Sequence, residues 1–430
     1  MGATPTSMLK KIQVSQLRLG MHLHAFEGAW IDHPFWRTKF VIDDAADLKK
    51  VLASGVRECW IDSAKGLDLA DPAPSVAPAP TPVAAPVAAP APATISLAAT
   101  SAAHTRSSRA PTTMADELQQ AAAICKRGRE AVTSMFNDAR LGRALDAEQC
   151  RPLVEEVSNS VFRNPGAVVS LARLKTHDDY SYMHSVAVCA LMISLARQLG
   201  KNDDECREAG QAGLLHDLGK ALMPSVILNK PGKLTDDEFN VIRTHPERGH
   251  ALLLEGRGAG EAAMEVCLHH HEKLDGQGYP HKLAGEQVSL LARMGAVCDV
   301  YDAITSNRPY KAGWDPAESI ARMASWKGHF DDTVFATFVR SIGIYPTGSL
   351  VRMESGRLGV VIEQNAGKLS SPVVRLFFSI RSNMPISALR LDLARPGSVD
   401  RIVGRESPAK WGFRQLDDLW LDPAIKHASK

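Results

Sequence analysis

The chain has 430 residues, of which 45% are hydrophobic and 23% are charged, as is ordinary for a soluble globular protein. Its length predicts two or three domains. The formal net charge is only +2, so no overall field indicates nucleic acid or a membrane surface as a partner. The seven cysteines are widely spaced and form no C-x-x-C pair, which argues against a disulfide framework or a cysteine zinc site and fits a reducing compartment.

Residues 1–70 predict a small α+β module. Within it, the helix-like segment DAADLKKVLASG ends at Gly55, and the strand-like segment VRECWID follows. The first residues contain no apolar run typical of a secretory signal. The longest apolar stretch, residues 185–196, is too short to span a bilayer and predicts a buried helix. We therefore expect a cytoplasmic protein.

Residues 71–113 predict a linker. Proline and alanine dominate this segment, aromatic residues are absent, and no hydrophobic periodicity is present. Proline-rich chain adopts an extended polyproline II conformation, so the linker should separate the first module from the rest.

Residues 114–344 predict a helical domain. The segment ADELQQAAAICKRGREAVTSMFNDA has apolar residues at three- and four-residue spacing, which is typical of an amphipathic helix. Thr235 and Glu238 form a capping-box pattern. Further helices are predicted at residues 148–162, 166–177, 180–199, 203–219, 235–255, 260–273, 287–305, 316–326 and 331–341.

Residues 345–430 predict a small β-rich region. The segments GSLVRMESGRLGVVIEQ and PVVRLFFSI alternate in polarity and contain turn glycines, as short strands require. The predicted fold class is therefore mainly α, with a small α+β module before the helical domain and a β-rich region after it.

Histidines and aspartates recur inside the helical domain. His184 lies in YSYMHSVAV, His216 and Asp217 in LLHDLGK, and His245 in RTHPERG; His269 to His271 and Asp299 follow. An unpaired ionisable group is costly to bury beside apolar helix faces, and metal coordination offsets that cost. Any one of these residues alone would also fit a hydrogen-bonded core histidine or aspartate, but five such clusters in one domain favour a metal site.

The donor types constrain the metal only partly. Imidazole and carboxylate ligands without thiolate suit Fe, Mn, Zn or Ni. Six or more ligands exceed what one catalytic ion takes from protein, and adjacent residues on a helix, such as His216 and Asp217, point about 100° apart. Two metal ions are therefore predicted, with a bridging water that attacks phosphorus in line.

Three basic residues are candidates for phosphate contact. Lys220 is expected one helical turn after His216 on the same face, and Arg308 and Lys311 follow the Asp299 segment in NRPYK. Arginine suits bidentate phosphate contact and lysine a point-charge contact. Each of the three could instead be a solvated surface charge.

These segments together resemble a known family. LLHDLGK resembles the signature of HD phosphohydrolases, HHEKLDGQGYP resembles the extended motif of the HD-GYP subfamily, and DVYDAITSNRPYK resembles its third motif. The segment VSQLRLGMHLHAFEGAW is similar to the small N-terminal domain that often precedes HD-GYP domains. The resemblance implies an HD-type all-helical domain that hydrolyses cyclic di-GMP to pGpG, by attack of a metal-bridging hydroxide; family members often cleave pGpG onward to GMP.

The resemblance also assigns roles to residues. It implies that Asp217 bridges two metals and is catalytic with Lys220, and that Lys220, Arg308, Lys311, Tyr279 and Gly278 bind substrate. Of the three consecutive histidines it selects the last two, and His269 is expected to face away from the site. His270 and His271, being adjacent, should reach different ions or different sides of the cluster. The implied metal ligands are His184, His216, Asp217, His245, His270, His271 and Asp299.

The sequence departs from the family pattern at one position. Members with three metals have a glutamate four residues before the first histidine ligand, where this chain has Tyr180. The resemblance therefore favours two divalent ions, Fe or Mn first and Zn or Ni as alternatives. The roles of two neighbouring acidic residues are open. Asp302 is either an exposed carboxylate on the helix surface or a support for a metal ligand. Glu272 either supports a histidine ligand or forms an ion pair with Lys273.

Alternative functions remain. One is a slow or inactive HD-GYP module that senses a cyclic dinucleotide and binds GGDEF-type partners. Another is an HD hydrolase for a different nucleotide. The expected partners are cyclic di-GMP and, through the GYP loop, GGDEF-domain proteins, with neither nucleic acid nor membrane. A homodimer is one arrangement to test.

Overall fold

The computed structural model describes residues 9–26, 40–52, 58–69, 112–174, 180–230, 232–306, 313–365, 367–413 and 416–421. The chain divides into two compact units, Met1–Ala98 and Ala99–Lys430. Nearly all of the predicted linker lies outside the described residues, as do Arg308 and Lys311 and the side chain of Tyr180. The predictions that depend on these residues therefore remain predictions.

Among its described residues, the first unit contains a four-stranded antiparallel sheet and one α-helix. Its strands are β1 (Leu9–Gln13), β2 (His22–Phe26), β3 (Phe40–Val41) and β4 (Glu58–Asp62), in the order β1-β4-β2-β3, and its helix is α1 (Ala45–Leu52). Ile12, Leu23 and Ile61 are among the buried side chains of a small separate core. The α+β prediction for this module is confirmed.

The second unit begins with a helical domain, which confirms the mainly α fold class. In chain order its helices are α2 (Met114–Arg140), α3 (Arg151–Arg163), α4 (Pro165–Ala172), α5 (Tyr180–Gln198), α6 (Asp203–Leu215), α7 (Ser225–Leu228), α8 (Asp236–Ile242), α9 (His245–Glu255), α10 (Glu261–His269), α11 (Leu290–Thr305), α12 (Pro316–Met323) and α13 (Asp332–Ile342).

Helix α5 forms the centre of this domain. Every side chain from Val186 to Ile193 is fully buried, and α2, α3, α4, α6, α11 and α13 pack around the helix. A helix that is apolar on all sides is stable only when it is surrounded in this way. The prediction of a buried helix over residues 185–196 is confirmed, and His184 consequently lies near the centre of the domain.

The predicted helix over 235–255 is two helices. Thr235 and Glu238 form the predicted capping box at the start of α8. The helix ends at Ile242 because Pro246 has no backbone N–H for the carbonyl of Ile242. The Nδ1–H of His245 donates to that carbonyl instead, at 2.7 Å, and a new helix begins at His245.

The predicted helix over 203–219 ends earlier, at Leu215. His216 caps α6, and a 3₁₀ helix covers Leu218–Leu222. Gly219 is required in this segment because a Cβ there would lie 1.9 Å from the carbonyl oxygen of His245 on α9. The expectation that Lys220 lies one regular helical turn after His216 is therefore wrong, because the α-helix does not continue between them.

A five-stranded antiparallel sheet follows the helical domain, as predicted for the C-terminal region. The strands are β5 (Leu350–Met353), β6 (Arg357–Glu363), β7 (Val373–Ser379), β8 (Met384–Asp392) and β9 (Ile402–Arg405), in the order β8-β7-β6-β5-β9, and a short helix, α14 (Pro408–Trp411), follows. Hydrogen bonds join the sheet to the helices, such as the Leu350 N–H to Asp315 at 3.1 Å and the Met114 N–H to Glu363 at 3.0 Å.

Two broader predictions can be compared with the structure. All seven cysteines lie among the described residues, and all are buried free thiols. Within the described part of the chain, no helix combines the length and the apolarity needed to cross a membrane.

Candidate metal centre

The structure brings all seven predicted metal ligands together. They form two groups, in each of which the nearest donor atoms lie within 4.8 Å of one another. Asp217 belongs to both groups. The first group comprises His184, His216, Asp217 and Asp299, and the second comprises Asp217, His245, His270 and His271.

Five helices carry these side chains to one place. His184 lies in the first turns of α5, and Asp299 lies in the middle of α11. His216 and Asp217 follow the end of α6, and His245 begins α9. His270 and His271 follow the end of α10. The wide spacing of the motifs along the chain thus reflects the convergence of four helix ends on the middle of α11.

The two oxygens of Asp217 face different histidines. Oδ2 lies 3.4 Å from Nε2 of both His184 and His216. Oδ1 lies 3.2 Å from Nε2 of His245 and 3.7 Å from Nε2 of His270. A carboxylate that bridges two ions must present one oxygen to each ion, and Asp217 has this arrangement.

Backbone carbonyls fix the orientation of three of the histidines. The Nδ1–H group of His216 donates to the Gly213 carbonyl at 2.8 Å. That of His245 donates to the Ile242 carbonyl at 2.7 Å, and that of His270 donates to the Val266 carbonyl at 2.9 Å. The proton on Nδ1 leaves a lone pair on Nε2, which points into the centre. This is the tautomer that a metal-binding histidine requires.

Asp302 fixes the fourth histidine. Its Oδ2 accepts a 2.6 Å hydrogen bond from Nδ1 of His184, while Nε2 of His184 lies 2.9 Å from Oδ1 of Asp299. Asp302 is only 3% exposed, so the interpretation as a surface carboxylate is wrong. Its position three residues after Asp299, on the same helix face, is the signal that could have identified it.

The donor set fits divalent cations. His216 Nε2 and Asp217 Oδ1 are buried, and neither has a hydrogen-bond partner among the described residues. Burial opposes ionisation of Asp217, yet the charge of Lys220 holds its pKa well below the ordinary value. Burial lowers the pKa of His245 to about 4. Ionised carboxylate and neutral imidazole are the states that bind a metal.

The group around His184 attracts positive charge. Burial disfavours the charged imidazole, but hydrogen bonds to Asp217, Asp299 and Asp302 outweigh burial and raise the pKa of His184 to about 10. Burial likewise opposes ionisation of Asp299, and its hydrogen bond with His184 nevertheless holds its pKa well below the ordinary value. A cation held by this group would balance the same carboxylates.

The three consecutive histidines separate as expected. His269 faces away, with Nδ1 2.9 Å from Glu265 and Nε2 3.0 Å from Nδ1 of His281. His270 approaches Asp217, whereas Nδ1 of His271 lies 3.7 Å from Oδ2 of Asp299. His270 and His271 belong to the same group and enter it from different sides.

The GYP segment packs beside His271. The Tyr279 ring stacks on the His271 ring at a centroid distance of 4.7 Å, and the Tyr279–Pro280 peptide bond is cis. Gly278 is buried against the chain at Glu272 and Lys273, where a Cβ would lie 2.5 Å from Glu272 Cα. Gly278 therefore shapes the loop. Because glycine has no side chain, it could contact a substrate only through its backbone.

Glu272 has neither of the two roles considered for it. It is 2% exposed and accepts hydrogen bonds from the backbone N–H groups of His281 (2.7 Å) and Leu283 (3.1 Å). Its carboxylate thus holds the chain that follows Tyr279. A buried carboxyl group with two backbone donors is not visible in a sequence pattern, because its partners lie 9 and 11 residues away.

Two basic side chains lie near the centre: Lys220 contacts Asp217, and Arg243 lies beside Tyr279. Nζ of Lys220 is 2.5 Å from Oδ2 of Asp217, and the lysine side chain is 22% exposed, so it joins the buried carboxylate to the open side. The Arg243 guanidinium lies 4.9 Å from the centre of the Tyr279 ring. The sequence interpretation did not include Arg243, because a single arginine two residues before His245 has no distinguishing pattern.

Comparison with family models matches most of the chain. The model of an HD domain matches residues 158–334. The model of a domain of unknown function, DUF3391, matches residues 9–150 and so extends from the first module through the first helix of the second unit.

Named relatives and a solved structure are similar to the chain. The cyclic di-GMP phosphodiesterase PA4108 of Pseudomonas aeruginosa is 55% identical over 414 residues, which are 96% of each protein. The cyclic di-GMP phosphodiesterase response regulator RpfG of Xanthomonas campestris pv. campestris is 42% identical over 32% of this chain and 37% of its own length. Bd1817, an HDG"Y"P protein from Bdellovibrio bacteriovorus, aligns with a TM-score of 0.41 and 14% identity, covering 77% of this chain and 98% of that structure.

Proposed function

Because the chain belongs to the HD-GYP family of cyclic di-GMP phosphodiesterases, we propose that it hydrolyses cyclic di-GMP at the centre around Asp217. The observation that carries this proposal is the division of the Asp217 carboxylate between two histidine groups. Each group has the donors for one divalent ion, and the reaction is therefore metal-dependent. We propose Fe or Mn first, with Zn or Ni as alternatives, because the donors are nitrogen and oxygen only.

Two bound ions would activate a water and balance charge on the phosphodiester. The chain's own residues prepare that site. Backbone carbonyls and Asp302 hold the imidazoles with Nε2 directed inward, and burial keeps bulk water away from Asp217. Lys220 holds Asp217 through its ammonium group and offers a positive charge toward the open side, where an anionic phosphate would approach.

The substrate-binding residues are proposed on two grounds. The resemblance assigns Arg308 and Lys311 to the cyclic dinucleotide, and Tyr279 to the wall of the site. The position of Arg243 over the Tyr279 ring adds a guanidinium at the same wall. Arginine binds phosphate through two parallel hydrogen bonds, which suits it to a diester. We propose pGpG as the product, and the time course below shows whether cleavage continues to GMP.

The sensor alternative is not favoured. A module that only bound the dinucleotide would not need the ligand set, whereas all seven ligands converge here. On the resemblance we propose that the GYP loop also contacts GGDEF-domain proteins and that the enzyme acts in the cytoplasm, which the seven free thiols fit. A homodimer remains a prediction.

Turnover of cyclic di-GMP by the purified, metal-loaded chain tests this function. Chromatography of a time course should show pGpG appearing first, with cyclic di-AMP turned over more slowly. Lys220→Ala should lower kcat/KM about 100- to 1000-fold through the lost charge on phosphate and Asp217. Lys201→Ala, which removes a surface lysine paired with Glu205, should leave it unchanged. A metal-loaded chain that leaves cyclic di-GMP intact would refute the proposal.

A further inference from the structure

The metal centre is least covered at one of its ligands. Six of the seven ligand residues are buried, whereas His271 is partly exposed, with 20% of its side chain accessible to solvent. The side chain of Lys220, which contacts Asp217, is 22% exposed as well. Because protein covers the other ligands, a phosphodiester that reaches the ions approaches them past His271.

A row of three aromatic rings leads outward from this opening. The Tyr279 ring stacks on the ring of His271 at a centroid distance of 4.7 Å. The ring of Phe239, on α8, meets the Tyr279 ring edge to face, at a centroid distance of 6.3 Å and an angle of 80° between the planes. Tyr279 is partly buried, whereas Phe239 is 46% exposed. The row therefore runs from a metal ligand to an exposed aromatic ring.

Phe239 does not belong to a hydrophobic core. None of the residues Asp236–Ile242 that form α8 is buried. The helix is held by polar contacts instead. Thr235 and Glu238 form its capping box, and Nζ of Lys230 donates to both oxygens of Glu238, at 2.8 and 2.6 Å. Core packing thus gives no reason for an aromatic side chain at this position.

Arg243 lies against the two outer rings of the row. Its guanidinium is 4.9 Å from the centre of the Tyr279 ring and 5.9 Å from the centre of the Phe239 ring. Among the described residues, no carboxylate lies at ion-pair distance from this guanidinium. Arg243 therefore keeps donors for the phosphate contact proposed above, and a phosphate bound there would lie next to Phe239.

This arrangement matches the parts of a nucleotide. Every nucleobase has a flat face that stacks on aromatic side chains, and such stacking depends little on which base it is. When one phosphodiester of a cyclic dinucleotide lies at the ions, the bases on the adjoining sugars extend away from it. The exposed ring of Phe239, two ring contacts from His271 and beside Arg243, lies on the wall that one of these bases would meet.

We propose that Phe239 is the residue on which one base of the cyclic dinucleotide stacks while a phosphodiester is cleaved at the metal centre. This role rests on the proposed function and adds a substrate-binding residue to it. Because the ring touches neither a metal ligand nor the scissile phosphate, it acts on substrate binding more than on cleavage. It favours dinucleotides over diesters that have no base, without selecting guanine.

Steady-state kinetics with cyclic di-GMP tests the stacking role. Phe239→Ala removes the ring, so KM should rise about 5- to 100-fold with a smaller change in kcat. Phe239→Trp retains a flat ring and should keep KM near the wild-type value. Leu254→Ala, which removes another exposed apolar side chain, on α9, is the matched control and should follow the wild type.

A base-free analogue separates stacking from mere support of the neighbouring side chains. This analogue is the same cyclic ribose–phosphate ring with hydrogen in place of both bases. Its inhibition constant against cyclic di-GMP hydrolysis reports its binding, whether or not it is cleaved. Phe239→Ala should weaken binding of cyclic di-GMP much more than binding of the analogue. If Phe239 only supported Tyr279 and Arg243, both would weaken equally.

The outcomes distinguish this role from the proposed function. A wild-type chain that leaves cyclic di-GMP intact would refute the proposed function, and the stacking role with it. If the wild type turns over cyclic di-GMP, an unchanged KM in Phe239→Ala would overturn the stacking role alone. Equal losses for cyclic di-GMP and the analogue, or a loss in Phe239→Trp as large as in Phe239→Ala, would do the same.

Discussion

Asp302 shows how one buried residue determines the orientation of a metal ligand. Its carboxylate accepts a hydrogen bond from Nδ1–H of His184 at 2.6 Å, so that Nε2 of the same ring is available to the centre. Without this acceptor the imidazole could place its proton on Nε2 and rotate. Groups that support metal ligands in this way commonly matter nearly as much as the ligands themselves.

Asp302→Asn should therefore weaken metal binding and turnover together, each about 10- to 100-fold. The amide keeps the shape of the side chain but removes the charge that orients His184. Metal dissociation constants and kcat/KM should be measured on the same samples. Ser306→Ala is the control. It removes a hydroxyl that donates to Oδ1 of Asp302 at 3.2 Å, whereas His184 contacts Oδ2. Unchanged metal affinity in Asp302→Asn would contradict the positioning role.

At the scale of single residues, the sequence predicted the metal ligands but did not identify how the neighbouring carboxyl groups are used. The ligands His184, His216, Asp217 and Asp299 occur in long motifs, and the structure places them together as those motifs imply. Asp302 and Glu272 are equally buried, but a single carboxylate in a helix or turn has the same local pattern whether it faces solvent or the core. Burial depends on tertiary packing, which a local pattern does not specify.

At the scale of elements, the loop at Gly278 and Tyr279 depends on close backbone approach. Gly278 packs against the backbone at Glu272 and Lys273, and this contact places the Tyr279 ring on the ring of His271. The Glu272 carboxylate then holds the following chain by two backbone hydrogen bonds. The loop is therefore a wall of the centre, fixed from both ends.

Gly278→Ala should destabilise the fold by about 1–3 kcal/mol, because the new methyl group overlaps backbone atoms that cannot move independently. It should also lower turnover, since Tyr279 would be displaced from His271. Thermal unfolding and kcat/KM provide the readouts. Gly404→Ala, in strand β9, where the nearest neighbouring atom would be 3.9 Å away, should change neither quantity. Wild-type stability and turnover in Gly278→Ala would show that the loop adapts.

Helix ends were the least predictable elements. The sequence predicted one helix through His216 and Asp217, but α6 ends at Leu215 and the chain continues into a 3₁₀ helix in which Gly219 packs against the backbone at His245. Hydrophobic periodicity continues across such a break, so it indicates where helices are and not where they end. The break is functionally relevant, since it turns Asp217 toward both histidine groups.

The pair Glu117 and Arg163 joins α2 to α3 and should make stability depend on pH. Burial raises the pKa of Glu117, but hydrogen bonds from Arg163 and Ser160 outweigh it, so the pKa is lower than the ordinary 4.5. A lowered carboxyl pKa contributes stability that is complete above the unfolded value, and this contribution is lost as the pH falls from about 4.5 through the folded value.

Glu117→Gln should therefore reduce the dependence of unfolding free energy on pH between about 5 and 3, the range of this linkage. Glu156→Gln is a matched control on the same pair of helices, because Glu156 pairs with Arg127 at an exposed position. Exposed pairs contribute little, so this control should follow the wild type. Denaturant unfolding at a series of pH values measures both, and equal slopes in all three proteins would contradict the linkage.

At the scale of the whole molecule, the centre belongs entirely to the second unit. All seven ligands lie between His184 and Asp299, within helices whose order along the chain matches the order of the motifs. The two additional folded regions, the N-terminal sheet and the C-terminal sheet, contribute none of these ligands. Composition and periodicity predicted both regions correctly in kind, whereas the hydrogen bonds between the C-terminal sheet and the helices, such as that from Leu350 to Asp315, depend on packing that no segment specifies alone.

The most direct test of the account combines metal content with turnover in wild type and Asp217→Ala. Wild type should contain two equivalents of divalent metal per chain and hydrolyse cyclic di-GMP. Asp217→Ala should contain fewer and lose more than about 100-fold in turnover, since a shared ligand supports both ions and removing even a supporting group costs 10- to 100-fold. Full metal loading in both proteins, with turnover that the substitution does not change, would contradict the central claim that Asp217 joins two metal sites into one catalytic centre.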